Sequence, residues 1–97
     1  MARFNVKPDK REVAEKAIVE FIDAIQQHEE GTLLYQSLRE NDGVSFVHFM
    51  TFKDEKAEEI HRSTPHVKKF VDILYPNCEQ RPVFTDLTSV ASAGKQR

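Results

Sequence analysis

The four histidines of this 97-residue sequence are the side chains able to take and return a proton near neutral pH. Two of them, His61 and His66, flank Ser63-Thr64-Pro65, where one short helix should end and another begin. That position sets both near the mouth of any cleft between helices and sheet, where a general base could deprotonate a substrate and later return the proton. His66 leads and His61 follows, because a helix N-terminus disfavours the imidazolium and keeps the His66 ring a neutral acceptor. Either residue could instead satisfy helix ends, and as metal ligands the pair lacks a third partner at fixed spacing. His48 shares a strand face with Phe46, Met50 and Phe52. It is either a hydrogen-bonded core residue or a side chain reaching the pocket. The Tyr35 hydroxyl could orient a substrate oxygen, or the ring could simply pack a sheet face. Phe52 and Phe70 belong to the core, and the same rings would make the apolar wall of a site for a flat aromatic ligand. His28 reads as a helix-terminating cation, Lys68-Lys69 as a solvated helix face, and Cys78 as a thiol with no neighbouring cation to activate it.

The elements that must position these side chains follow from periodicity. Ala2 to Lys7 alternates apolar and polar residues, the period of a half-buried strand, and Pro8 ends it. Asp9 and Glu12 form a capping-box pattern ahead of a helix from about Lys10 to Gln27, whose stripe is Val13, Ala17, Ile18, Phe21, Ile22 and Ile25. Gly31 supplies its stop. Thr32 to Arg39 is a strand, Asn41-Asp42-Gly43 a turn, and Val44 to Phe52 a strand apolar on both faces. Asp54 caps a short helix over Glu55 to His61, and Thr64-Pro65 starts another with Val67, Phe70, Val71 and Leu74 inward. A last strand is expected from Val83 to Val90. The order βαββαβ, with two helices covering one face of a four-stranded sheet, is the ferredoxin-like α+β arrangement. The uncovered apolar face calls for a second copy, so a face-to-face homodimer is expected.

Composition sets the outer limits. One small domain is all that 97 residues allow, and its thin core would gain from a partner subunit. A net charge of −2 offers no basic excess for a phosphate backbone or an anionic membrane, so nucleic acid and membrane partners are not expected. A single cysteine cannot close an internal disulfide, which suits a reducing cytoplasm. There is no apolar leader at Met1-Ala2-Arg3 and no run of about 18 apolar residues to span a bilayer.

His28-Glu29-Glu30-Gly31-Thr32-Leu33-Leu34-Tyr35, then Ser45-Phe46-Val47-His48-Phe49, then His61-Arg62-Ser63-Thr64-Pro65-His66-Val67, and finally Pro82-Val83-Phe84-Thr85, together resemble the antibiotic biosynthesis monooxygenase domain family. The resemblance runs from residue 2 to about 92. It implies a dimeric α+β barrel over 1–92, and the small polar residues at the end read as a flexible tail at 93–97. Several members of the family oxygenate quinols or polyketide-type phenols with O2 and no metal or flavin; others in the same fold degrade haem, and one branch isomerises a phosphorylated quorum-signal sugar. Glu30 stands where the family usually has proline, and Phe52 where many members have tryptophan. With no tryptophan in the chain, and Ala2 near where the haem-degrading branch has asparagine, that branch is not supported. What the resemblance implies is a cofactor-free monooxygenase of a small electron-rich aromatic. A non-catalytic small-molecule-binding dimer and an isomerase stand as alternatives. His66 and His61 would be catalytic; Tyr35, His48, Phe52 and Phe70 would line the substrate site.

Overall fold

A computed structural model describes residues 1–94. Its elements are β1 (Ala2–Asn5), α1 (Arg11–His28), β2 (Thr32–Arg39), β3 (Ser45–Phe52), α2 (Glu55–Arg62), α3 (Pro65–Leu74) and β4 (Val83–Phe84), with 3-10 turns at Pro8–Lys10 and Tyr75–Asn77. The four strands form one antiparallel sheet in the order β2-β3-β1-β4, which is the expected ferredoxin-like α+β fold. Residues 95–97 of the expected tail lie outside the described residues.

Strand alternation sorts the sheet into two faces. Phe4, Phe46 and His48 point toward the helices, where Ala14, Ala17, Ile18, Phe21 and Ile25 of α1 and Phe70 and Leu74 of α3 complete the core. The cross-strand row Leu38, Val47, Arg3, Val83 lies on the opposite face. No helix among the described residues is long and apolar enough to cross a membrane.

Four local expectations are corrected. The Asp9–Glu12 capping box does not form: Pro8–Lys10 closes a 3-10 turn first, so the N-cap falls on Lys10, with no side-chain hydrogen bond. The α1 stripe is rotated slightly, burying Ala14 and leaving Val13 half-exposed. Glu29 ends α1 in extended backbone, its N–H bonded to Ile25. Gly31 does not stop the helix but permits a close approach, since a Cβ there would stand 2.5 Å from the Ala57 Cβ of α2. The last strand is two residues, Val83–Phe84, rather than Val83 to Val90, because β1 offers only Ala2 and Arg3 opposite it. A final pair of bonds between Met1 and Thr85, both 2.9 Å, ends the ladder, and Leu87 and Val90 are exposed.

The two short helices start as expected. Asp54 accepts from the Ala57 N–H at 2.8 Å, and Thr64 accepts from the Val67 N–H at 3.2 Å with Pro65 at the first helical position. In the β2–β3 turn, Gly43 has φ +80, and the Asp42 carboxylate takes the Val44 and Ser45 N–H groups and the Ser45 hydroxyl.

Candidate active site

His61 and His66 could not face one point from an unbroken helix, where five positions would set them about 140° apart around the axis. The chain breaks between them. Ser63 and Thr64 direct their N–H groups to Ile60 and His61 carbonyls, and the Thr64 hydroxyl both donates to the His61 carbonyl at 3.0 Å and caps α3. His61 in the last turn of α2 and His66 at the second position of α3 then converge on one carboxylate, Glu29.

Glu29 is supplied by the turn from α1 into β2, and its side chain is 3% exposed. Its Oε1 accepts from the Thr32 hydroxyl at 2.6 Å and from His61 Nδ1 at 2.7 Å, and its Oε2 accepts from His66 Nε2. Burial pushes this carboxyl up, but the hydrogen bonds from Thr32, His66 and His61 outweigh it and hold the group below its ordinary range. An ionised carboxylate only accepts, so His61 Nδ1 and His66 Nε2 are the protonated nitrogens. The other nitrogen of each ring, His61 Nε2 and His66 Nδ1, has no partner among the described residues.

One of these rings meets a cavity. A space of about 680 Å³ opens between the sheet and the helices, and its wall includes Phe21, Tyr35, Phe52, His61, Phe70 and Phe84. Phe21 and Phe70 stack at 4.3 Å with 5° between their planes, and His61 lies 5.7 Å from Tyr35 and 5.2 Å from Phe52 between centroids. His66 is not part of that wall; it reaches the site through Glu29. Of the side chains expected to hold a ligand, Tyr35, Phe52 and Phe70 line the cavity. His48 stands behind Tyr35, fully buried, with Nδ1 2.9 Å from the Tyr35 hydroxyl. Burial lowers the His48 imidazole to about 4. Burial also raises the Tyr35 hydroxyl far above its ordinary range, helped by the Glu29 charge and Tyr75.

Sequence reasoning missed Glu29. The available signal was a polar His-Glu-Glu run directly before Gly31, where backbone must approach α2 closely, but which carboxylate turns inward is set by the helix break across the molecule. Cys78 is buried, and burial raises its thiol. Lys68 pairs with Asp72 and Lys69 with Glu20 at the surface, as a solvated face would. Among the described residues no group of three or more His, Cys, Asp or Glu side chains is arranged to hold a metal ion.

Comparison with solved structures bears on the fold. A protein from Nitrosomonas europaea classed as an antibiotic biosynthesis monooxygenase superposes with a TM-score of 0.85 at 20% identity, covering 96% of this chain and 89% of that one. One from Bacteroides thetaiotaomicron, of the same class, gives 0.84 at 21% identity over 99% and 91%. One from Caulobacter crescentus, again so classed, gives 0.83 at 26% identity over 93% and 86%. A comparison with curated proteins finds no match. The sequence profile described as antibiotic biosynthesis monooxygenase matches residues 1–73, the stretch that carries Glu29, Tyr35, His48, His61, His66 and Phe70. By that match and that fold, the chain belongs to the antibiotic biosynthesis monooxygenase family.

Proposed function

We propose that this protein is a cofactor-independent monooxygenase that oxidises a small electron-rich aromatic, quinol- or polyketide-like, with O2. The observation that carries the reading is His61: it lies on the wall of an aromatic-lined cavity, its Nδ1 is held by a buried carboxylate, and its Nε2 is left without a partner among the described residues. A carboxylate so placed fixes the tautomer and stabilises the imidazolium that forms when the free nitrogen takes a proton. Glu29 is then a positioning residue, and His66 and Thr32 hold it.

In this mechanism His61 Nε2 removes the proton of a substrate hydroxyl. The aryl oxide gives one electron to O2, leaving an aryloxyl radical and superoxide, and the two join in a new carbon–oxygen bond at a ring carbon that bears hydrogen. The imidazolium returns its proton to the peroxide. Loss of the hydrogen from that carbon as a proton, with cleavage of the oxygen–oxygen bond, leaves a carbonyl and releases the second oxygen as water. One oxygen atom enters the product, and substrate plus O2 equals quinone plus water. The aromatic walls favour a flat ligand and keep water from the peroxide.

A homodimer through the uncovered sheet face is part of the same proposal. Leu38 and Val47 lie side by side there with Leu34 and Phe49 next to them, Val83 follows beyond Arg3, and no further layer among the described residues covers them. The test is aerobic incubation with hydroquinones and polyketide-type phenols under 18O2. Oxygen uptake with one labelled atom in the product is expected. Binding without uptake would make the protein a small-molecule binder, and a rearranged product without uptake would make it an isomerase. A purified preparation is expected to be colourless, and a haem or flavin spectrum would overturn the cofactor-free mechanism.

A further inference from the structure

His48 poses a question that its partner Tyr35 answers. The ring is 1% exposed, stands nearly perpendicular to Phe4 at 5.0 Å and lies within 20° of parallel to Phe70 at 6.0 Å. Nδ1 meets the Tyr35 hydroxyl at 2.9 Å, while Nε2 is buried without a hydrogen-bond partner among the described residues. Either hydrogen-bond direction fits the distance. If Tyr35 donated to Nδ1, the ring proton would sit on Nε2 as a buried N–H with nothing to receive it. If Nδ1 carries the proton, Nε2 is a buried acceptor left without a donor. Among backbone groups, buried N–H donors are left without a partner less often than carbonyl acceptors are left under-satisfied, and the same preference applied to the imidazole favours the second arrangement.

We propose that His48 carries its ring proton on Nδ1 and donates it to the Tyr35 oxygen, so that the Tyr35 O–H is turned into the cavity as a donor to a carbonyl or oxyanion of the ligand. His48 is thus a positioning residue acting through Tyr35. No other protein group among the described residues accepts the Tyr35 proton, and Tyr35 lines the cavity while His48 does not. Burial keeps His48 neutral at pH 7 and Tyr35 protonated, which is what a one-way donor chain requires. The ligand then has two oxygens on one ring system, a hydroxyl that loses its proton to His61 and a carbonyl that accepts from Tyr35. The 5.7 Å between the Tyr35 and His61 rings brings both within reach of one flat molecule. This substrate class rests on the oxygenation reading; the donor direction does not.

Two measurements without O2 test it. In 15N-labelled protein at pH 7, the ring-nitrogen shifts of His48 are expected to show a protonated Nδ1 and a bare Nε2, and the opposite tautomer would overturn the proposal without any variant being made. Anaerobic calorimetry then compares 6-hydroxy-1-tetralone with 5,6,7,8-tetrahydro-2-naphthol, which differ by the carbonyl alone. The wild type is expected to prefer the tetralone by about tenfold, one hydrogen bond's worth. Tyr35→Phe and His48→Leu should lose that preference, and His48→Asn, whose amide can still donate to Tyr35, should keep it. Equal binding of the two probes by the wild type, or a preference that survives Tyr35→Phe, would sink the donor role. Since neither measurement reads oxygen uptake, a protein that binds this way but consumes no O2 would refute the monooxygenase mechanism and leave the donor assignment supported.

Discussion

At the scale of single residues, the buried carboxylate decides how the histidines can work. His61→Ala removes the proposed base and is expected to slow oxygen uptake by about 10²- to 10⁴-fold. His66→Ala, which reaches the cavity only through Glu29, should cost less, and steady-state rates with melting temperatures measured alongside separate the two. Near-wild-type turnover in both would place the base elsewhere. Glu29→Gln puts an amide where three donors now converge, so it is expected to lower stability by about 1–3 kcal/mol as well as turnover. His48 supplies a pH signature. Its ring is held at about 4 in the folded chain against about 6.5 in the unfolded one, so the unfolded state binds the extra proton between those values. Stability from this group is complete above about pH 6.5 and falls as pH drops toward 4, by on the order of 3 kcal/mol. Glu29, whose carboxyl is lowered, loses its contribution only further into acid. Urea unfolding midpoints at pH 7 and pH 4.5 should separate less in His48→Asn than in the wild type; equal separation would mean that another group governs the acid limb.

Elements matter here chiefly through α2, a two-turn helix that carries His61 to the cavity. Its placement depends on Gly31, because the Ala57 Cβ occupies the space a side chain at Gly31 would need. That neighbour is a rigid methyl on a helix backbone, so it cannot swing aside. Gly31→Ala is therefore expected to push α2 outward, cost about 1–3 kcal/mol by overpacking, and lower turnover by moving His61 away from Glu29. Gly94→Ala, at an open position, is the control and should change neither melting temperature nor rate. The caps Asp54 and Thr64 were legible as sequence patterns because their partners lie three residues on. The capping box at Asp9–Glu12 looked equally good and fails, since Pro8 closes a 3-10 turn ahead of the helix.

For the whole molecule, the feature that governs assembly in this proposal is the sheet face away from the helices. Leu38→Glu together with Val47→Glu sets two charges on the apolar pair of that face, and is expected to convert a dimer by light scattering into a monomer. A monomeric wild type at micromolar concentration would remove the dimer proposal. The strands, the order βαββαβ and the two-faced character of β3 were readable from residue periodicity, because alternation and helical spacing are local properties that burial simply completes. So was the pairing of His61 and His66 with the helix break. The extent of β4 was not readable: Val83 to Val90 has the residues of a longer strand, but pairing needs a neighbour, and only Ala2 and Arg3 stand opposite. Nor could spacing show that Glu29 would lie between the two histidines, that His61 rather than His66 would meet the cavity, or that His48 would be left with one unpartnered nitrogen. Those depend on contacts between residues 13 to 37 positions apart, whose distances are set by how the layers pack and which no local pattern encodes.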